Sequence, residues 1–220
     1  MLIAAGRRPN TDSLGLEAAG VALGERGYVR VNARLETNVR GIWAIGDVNG
    51  QQPYTRVCQE ESRVAFANAF EGKRLTIQRH ALPHAVFTDP EIGGVGYTES
   101  MARELGMDVV VGLVTFDRFF KARLIGETSG LVKYVVERKT RRVVGCHVIG
   151  PNAADLVYDA VLVMRHNGTL DEIGTAVGVF PTLQEGMEGT ARAILKKLTP
   201  GETRGPLVRH TSSMAAVEVQ

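Results

Sequence analysis

Asp47 is the acid with the clearest position for chemistry, because it follows directly on an apolar stretch. Residues 42–45 read Ile-Trp-Ala-Ile and predict a buried strand that ends at Gly46. A helix is predicted from about Thr55, shortly afterwards. A carboxylate at the carboxyl end of a strand either caps backbone N–H groups or accepts a hydrogen bond from a polar ligand. Residue types alone leave both roles open.

The cysteines and histidines of the chain predict neither a metal site nor a disulfide framework. There are two cysteines: Cys58 falls within the helix predicted from Thr55, and Cys146 within a predicted strand. We expect both to be buried small hydrophobic residues. The five histidines are dispersed along the sequence, so we expect no bound metal. Such sparse cysteine usage is typical of a reducing cytoplasm.

The composition is that of an ordinary globular chain of 220 residues, with 44% hydrophobic residues, 23% charged residues and a net charge of +2. Basic residues are scattered, so we expect no nucleic-acid partner. The one short basic run, residues 138–142, predicts a hairpin turn between two apolar strands. No apolar run is long enough to cross a bilayer, so we expect no membrane partner.

The elements that must position these residues change in character near residue 80. Before it, the patterns predict strands at 2–5, 28–31 and 42–45 and helices at 14–19 and from about 55 to 70. After it, they predict strands at 85–88, 95–97, 109–116, 130–137 and 143–149, and helices at 98–106, 153–165 and from 182 to about 197. A strand as apolar as 2–5 needs neighbours on both sides, which predicts that a preceding domain is missing.

Several blocks of this sequence resemble the flavin-dependent pyridine nucleotide–disulfide oxidoreductases, the family of dihydrolipoyl dehydrogenase, glutathione reductase and mercuric reductase. The blocks follow one another in the order of that family. They are residues 5–10 (AGRRPN), 37–47 (TNVRGIWAIGD), 86–92 (VFTDPEI) with 95–99 (VGYTE), and 130–133 (GLVK) with 144–150 (VGCHVIG).

The resemblance implies an α+β fold, in which a partial FAD-binding α/β segment is followed by an antiparallel-sheet dimerisation domain covered by helices. The implied divisions are the last strand of the NAD(P) domain at 1–10, the C-terminal part of the FAD-binding domain at 11–80, the dimerisation domain at 81–198 and a disordered tail at 199–220. A homodimer would form through residues 81–198. An N-terminal half, in cis or in trans, would supply the glycine-rich turns and the redox cysteine pair, which this sequence lacks.

The implied cofactors are FAD and, in the complete protein, NAD(P)H. The resemblance assigns Asp47 to a ribityl hydroxyl of FAD, and directs the start of the helix at Thr55 towards the flavin pyrimidine. Free N–H groups and the helix dipole there stabilise the negative charge of reduced flavin. Gly46, Tyr54 and Arg56 complete the predicted cofactor-binding set.

The sequence departs from the family pattern at its C-terminal motif. Dihydrolipoyl dehydrogenase and glutathione reductase carry a histidine that acts as acid and base, followed by a proline and, further on, a glutamate that orients the imidazole. Here Phe180 occupies the histidine position and Glu185 the glutamate position. Glu185 is thus the candidate catalytic residue, although Thr182 and Glu185 also have the spacing of a capping box. Phenylalanine moves no proton, which disfavours the usual dithiol reaction.

Mercuric reductase also has an aromatic residue before this proline, but the likeness is incomplete. It carries a tyrosine where this chain has Thr182, and its C-terminus ends in a cysteine pair that residues 199–220 lack. Tyr97 does correspond to a tyrosine of mercuric reductase. Two functions therefore remain open. The chain is either part of an oxidoreductase that passes hydride from nicotinamide to FAD, then to a redox disulfide and an acceptor, or a non-catalytic dimerisation module with a remnant flavin motif.

Overall fold

The computed structural model describes residues 1–198, which divide into two compact units, residues 1–82 and the residues from 83 onward. The tail predicted at 199–220 lies outside the described residues. Within residues 1–198, no helix combines the length and hydropathy that a membrane crossing requires.

The first unit is built around one long helix, α1, at Thr55–Phe70, with the bounds that the sequence predicts. Its buried face includes Val64 and Ala65, which pack with Leu35 in a small core. Three short 3-10 helices complete the regular structure of this unit, at Glu25–Gly27, Gly46–Asn49 and Arg79–Ala81. The segment that carries Asp47 is thus one turn of 3-10 helix.

The other elements predicted for the first unit are wrong. Residues 2–5 form no strand, and Leu2 is 91% exposed. Residues 28–31 and 42–45 contribute only isolated bridges, Leu23 with Val29 and Glu36 with Trp43. Residues 14–19 form turns instead of a helix. A strand exists only where successive residues exchange backbone hydrogen bonds with a neighbouring strand, and residues 28–31 and 42–45 each form a single bridge.

The second unit contains a five-stranded antiparallel sheet in the order β1-β2-β5-β4-β3. Every strand predicted in this region is present; the strand at 143–149 has its predicted bounds, and the ends of the others differ by up to three residues. The strands are β1 His84–Val86, β2 Ile92–Gly96, β3 Val109–Thr115, β4 Leu131–Glu137 and β5 Val143–Ile149. The predicted hairpin at residues 138–142 joins β4 to β5.

Val109 and Val135 pack against Ala102 on one face of this sheet, and Gly112 lies under Ile194 on the other. Helices therefore pack against both faces. They are α2 Glu99–Glu104, α3 Phe120–Ile125, α4 Ala153–Leu156, α5 Tyr158–Arg165, α6 Leu170–Gly174 and α7 Gln184–Leu198, with a 3-10 turn at Phe116–Arg118. Thr98 caps α2 as predicted, because its hydroxyl accepts a hydrogen bond from the Met101 N–H at 3.3 Å.

The helix predicted over 153–165 is divided at Val157, and α3 and α6 were not predicted. Both missed helices are shorter than two turns, too short for a helical period to stand out. The packing of α7 on the sheet is close. A Cβ on Gly112 of β3 would lie 2.0 Å from the Cγ1 of Ile194 on α7. The architecture is the α+β fold that the sequence predicts.

Candidate functional site

A glycine brings the segment of Asp47 against the first turns of α1. Gly46 has a φ of +72°, and a Cβ there would lie 2.9 Å from the Cys58 sulfur. A side chain would therefore meet both an unfavourable backbone conformation and a steric clash. Cys58, on α1, is half-buried beneath this glycine. Gly46 thus fixes how closely the turn approaches the helix.

Glu61 of α1, which was not among the predicted site residues, holds the same turn to the helix. Its side chain is 1% exposed. One carboxylate oxygen accepts hydrogen bonds from the Gly46 N–H at 2.5 Å and from the Asn49 side-chain amide at 2.9 Å. The other accepts from the Arg79 guanidinium at 2.7 Å. A buried carboxylate with this many donors holds the turn, the helix and the end of the unit together.

The Asp47 carboxylate itself faces away from this buried network. Its Oδ2 accepts a hydrogen bond from the Arg7 Nη1 at 3.1 Å, and both side chains are more than half exposed. An exposed ion pair of this kind contributes about 1 kcal/mol or less to stability. The carboxylate therefore remains accessible to a hydrogen-bond donor of a ligand at little energetic cost.

Asp47 lines a cleft of about 1040 Å³ in the first unit. The walls come from three segments that the sequence separates: residues 5–10, then Arg26 and Tyr28, then Asp47, Val48, Gly50 and Pro53. Arg7, Arg8 and Arg26 are the basic residues of its lining. The volume is large enough for part of a dinucleotide, and basic groups suit its pyrophosphate.

The remaining predicted cofactor residues lie next to the cleft instead of lining it. Tyr54 is the N-cap of α1 and makes no side-chain capping bond, and Thr55 opens the helix. The Arg56 guanidinium donates to the Gln59 side chain at 2.9 Å. Of the predicted set, only Asp47 lines the cleft, while Gly46 positions its backbone. The residues present fit a ribityl hydroxyl at Asp47 and a helix N-terminus beside it.

In the second unit, Phe180 is 63% exposed and stacks on Phe120 of α3 with ring centroids 5.1 Å apart. Aromatic pairs at this separation stabilise each other beyond the area that they bury. The aromatic residue at the histidine position of the motif is thus held in an apolar setting, with no group of its own that exchanges a proton.

Glu185 lies partly buried at the start of α7. Its N–H donates to the Thr182 hydroxyl at 3.3 Å, which is the forward half of the predicted capping box. The Glu185 Oε2 is buried and has no hydrogen-bond partner within residues 1–198. Buried carboxylate oxygens are nearly always bonded. The Glu185 Oε2 is thus an unused acceptor at the start of α7.

Two more acids of this region, Glu188 and Asp159, have raised pKa values. Burial raises the pKa of Glu188, and the charges of Glu185 and Asp159 add to the rise. Burial also raises the pKa of Asp159, whose carboxylate accepts a hydrogen bond from the Gln184 amide. Glu188 approaches Gly178 so closely that a Cβ there would lie 2.1 Å from its Oε1. The segment before Phe180 is therefore seated on α7.

The two cysteines differ in their surroundings. Cys146 is fully buried beside Tyr134, its partner across β4 and β5, and burial raises the pKa of both side chains. Cys58 is half-buried, whereas the prediction was that it is buried. Within residues 1–198, no group of three or more histidine, cysteine, aspartate or glutamate side chains is arranged to hold a metal ion.

Comparison with known families matches both units. The model of the pyridine nucleotide-disulphide oxidoreductase dimerisation domain matches residues 82–191, which is half of the chain. A second model, described as pyridine nucleotide-disulphide oxidoreductase, matches residues 1–69. Fold and site together thus define a flavoprotein of the disulfide reductase class.

Curated relatives agree with this class. The chain is 40% identical over 197 residues to dihydrolipoyl dehydrogenase of Thermus scotoductus, covering 90% of this chain and 42% of the relative. It is 34% identical over 188 residues to mercuric reductase of Staphylococcus aureus, covering 86% of this chain and 34% of the relative. The chain therefore spans well under half the length of these relatives.

Solved structures give the same result. The HOCl-induced flavoprotein disulfide reductase RclA from Escherichia coli, in its Cu(II) complex, superposes with a TM-score of 0.78 and 32% identity, covering 88% of this chain and 44% of that one. LpdA from Mycobacterium tuberculosis superposes with a TM-score of 0.81 and 29% identity, covering 87% and 42%. The chain belongs to the FAD-dependent pyridine nucleotide-disulphide oxidoreductases, whose members use FAD and NAD(P)H.

Proposed function

We propose that this chain forms the C-terminal portion of an FAD- and NAD(P)H-dependent oxidoreductase. In the complete protein, hydride would pass from nicotinamide to FAD, then to a redox disulfide and finally to an acceptor. The observation that supports this most directly is Asp47, held by the Glu61 network at the rim of a cleft beside the start of α1. FAD supplies the hydride-accepting ring system, which no amino-acid side chain offers.

The residues of the first unit then have distinct tasks. Asp47 accepts a hydrogen bond from a ribityl hydroxyl, and the first N–H groups of α1, at Thr55 and Arg56, face the pyrimidine edge of the flavin. These N–H groups have no partners inside the helix, so they stabilise negative charge there. Gly46 and Glu61 position Asp47 without touching the cofactor.

The acceptor is one whose reduction draws no proton from residue 180. Phe180 cannot act as an acid or a base, and Glu185 next to it in the motif keeps an unsatisfied oxygen. Both dihydrolipoyl dehydrogenases and mercuric reductases occur among the relatives, so the relatives alone do not select the acceptor. We propose that Glu185 has no partner imidazole and mainly starts α7.

The complete assembly would be a cytoplasmic homodimer that associates through residues 81–198. The match to a dimerisation domain supports the dimer, and two unpaired cysteines support a reducing compartment. The N-terminal half, in cis or in trans, would contribute the glycine-rich turns and the redox cysteine pair. Without that half, the chain on its own would not oxidise NAD(P)H.

Flavin retention tests this proposal directly. The purified chain is mixed with FAD, desalted, and its visible absorption spectrum recorded. We expect a retained, structured flavin band. The substitution Asp47→Ala should weaken FAD binding about tenfold or more, because it removes a charge-assisted hydrogen bond.

The matched control is Asp12→Ala, since Asp12 is another exposed acid, paired at 3.3 Å with Arg8 of the same segment, but it does not line the cleft. Equal losses in the two variants would contradict the role of Asp47. A chain that retains no flavin would instead favour the non-catalytic dimerisation module, with Asp47 as a turn residue.

A further inference from the structure

Arg7 and Asp47 come from two different segments of the cleft wall and form an ion pair there. The Arg7 Nη1 donates to the Asp47 Oδ2 at 3.1 Å, although the two residues are 40 positions apart in the chain. Within residues 1–198, the other oxygen, Oδ1, makes no hydrogen bond. A carboxylate can accept several hydrogen bonds at once. The pair with Arg7 therefore leaves Asp47 able to accept a further donor.

Tyr28, a third residue of the lining, contacts both segments. Its hydroxyl donates to the Arg7 backbone oxygen at 3.4 Å. Its ring lies against Gly50, which ends the turn of Asp47, and a Cβ on Gly50 would overlap that ring. Gly50 also has a φ of +71°, which favours glycine. One aromatic side chain thus keeps the Arg7 segment and the Asp47 turn together, and with them the ion pair.

The neighbouring arginine has a different partner. Arg8 also lines the cleft, but its Nη1 pairs with Asp12 at 3.3 Å, within the same stretch of chain. The side chains of Arg7 and Arg8 are 70% and 82% exposed. The two arginines therefore resemble each other in charge, place and exposure, and differ in whether they contact Asp47.

The ion pair affects how Asp47 can bind a ligand. An exposed aspartate without a partner samples several side-chain conformations, and a ligand that fixes one of them loses affinity through the entropy of ordering. Arg7 restricts the Asp47 carboxylate before a ligand arrives. Because Oδ1 stays available, this restriction does not occupy the acceptor that a hydroxyl donor needs.

We propose that Arg7 is the positioning residue of Asp47 and holds its carboxylate in the orientation that accepts a ribityl hydroxyl of FAD. This inference rests on the proposed function of the cleft as a flavin site. Arg7 acts through Asp47, so its contribution to FAD binding exists only while Asp47 is present. Tyr28 in turn acts through Arg7, by way of the hydrogen bond to its backbone oxygen.

A double-mutant cycle on FAD affinity tests the proposal. FAD is titrated with the purified chain, and flavin fluorescence gives the dissociation constant for the unsubstituted chain, R7A, D47A and R7A/D47A. We expect R7A to weaken FAD binding about fivefold in the unsubstituted chain and by less than about twofold in the D47A background. The control cycle uses R8A in place of R7A. Any loss that R8A causes should be the same factor with and without Asp47.

Two further variants separate positioning from a general loss of structure. R7K keeps a positive charge beside Asp47 and should bind FAD more tightly than R7A. Y28F keeps the ring against Gly50 and removes only the hydroxyl, so it should weaken FAD binding by about threefold or less, and only while Arg7 is present. Circular dichroism spectra and melting curves establish that each variant is folded.

The outcomes distinguish this inference from the proposed function. A chain that retains no flavin overturns both. A chain that retains flavin overturns only the role of Arg7 if R7A binds FAD as tightly as the unsubstituted chain, or if R7A causes the same loss with and without Asp47. Tighter binding by R7A would show that Arg7 competes with the cofactor for Asp47, which is the opposite of the proposal.

Discussion

At the scale of single residues, the C-terminal motif differs from the family pattern at Phe180, a side chain that cannot transfer a proton. Thr182 and Glu185 keep their capping contact, and Phe180 keeps an apolar one with Phe120. The backbone at this position is therefore intact and only the acid–base group differs. Glu185 is left with a buried, unsatisfied oxygen.

The first residue-scale prediction restores that group. In the substitution Phe180→His, the carboxylate of Glu185 should raise the pKa of the introduced imidazole by about one unit above 6.5, because an opposite charge favours the protonated form. A titration of the imidazole Cε1–H resonance by NMR measures this. Adding Glu185→Gln should return the pKa to its ordinary value, and the control Phe120→His should show no such dependence on Glu185.

The second residue-scale prediction concerns Asp159, whose pKa burial raises. The native state then binds this proton more tightly than the unfolded state does, so ionisation of Asp159 destabilises the native state. This destabilisation is absent below the ordinary pKa of 3.8 and grows as pH rises through the raised value. Asp159→Asn should therefore stabilise the chain at pH 7 more than at about pH 4. Asparagine still offers an oxygen to the Gln184 amide.

Urea unfolding at the two pH values measures this difference. Asp155→Asn, at an exposed position on the preceding helix, is the control and should change little at either pH. An equal stability gain from Asp159→Asn at both values would show that the effect does not come from ionisation.

At the scale of elements, the flavin-type turn depends on α1 more than on any strand. The turn at Gly46–Asn49 is bound to Glu61, and Glu61 to Arg79. One hydrogen-bonded network around a buried carboxylate therefore joins the helix, the turn and the end of the unit. This network explains how the turn keeps its shape although the flanking residues form isolated bridges and not full strands.

Removing the centre of this network should be costly. Glu61→Ala should lower the free energy of unfolding by about 3 kcal/mol or more, because it leaves Arg79 and two N–H donors buried without an acceptor. Glu60→Ala is the control: Glu60 is the neighbouring acid on α1, pairs with Arg63 one turn further on, and should cost only about 0.5 kcal/mol. Chemical unfolding measures both. Similar losses would mean that Glu61 is no more important than a surface acid.

Among these elements, helix α1 and the hairpin could be predicted from the sequence, and the hydrogen bonding of residues 28–31 and 42–45 could not. Helix α1 was predicted with its bounds, because its apolar residues recur at a helical period. The hairpin of β4 and β5 was predicted because a basic turn separates two alternating strands. Residues 28–31 and 42–45 were predicted as strands but form only isolated bridges, because a strand depends on a partner that periodicity does not reveal.

The residues of the candidate site could likewise be predicted only in part. Asp47 was predicted from its position after an apolar stretch. Glu61 was missed because, in sequence, it is one more charged residue on an amphipathic helix, and its partners Gly46 and Arg79 are distant in the chain.

At the scale of the whole molecule, the second unit leaves several large apolar side chains exposed, outside its own core. Phe120 and Leu124 of α3 are 43% and 60% exposed, and Val177 and Phe180 lie exposed before α7. Exposed apolar clusters of this kind mark surfaces for association. They agree with the match of this unit to a dimerisation domain.

We therefore expect the chain to sediment as a dimer. Leu124→Asp should shift the equilibrium towards monomer, because a charge is costly to bury in an apolar interface. Analytical ultracentrifugation over a range of concentrations measures the change. The control is Phe66→Asp, at a residue of the first unit that is 56% exposed. A monomer at every concentration, or equal effects of the two substitutions, would argue against association through residues 81–198.

The short strand β1 limits how such chains aggregate. It lies at one edge of the sheet, has three residues, and is flanked by Pro83 and Pro90. Proline has no N–H to donate, and a short edge offers few backbone groups to an incoming strand. Open-ended stacking of sheets along this edge, the first step towards fibres, is thereby blocked. The apolar side chains of the unit can thus remain exposed for pairing without making its β1 edge a template for amyloid.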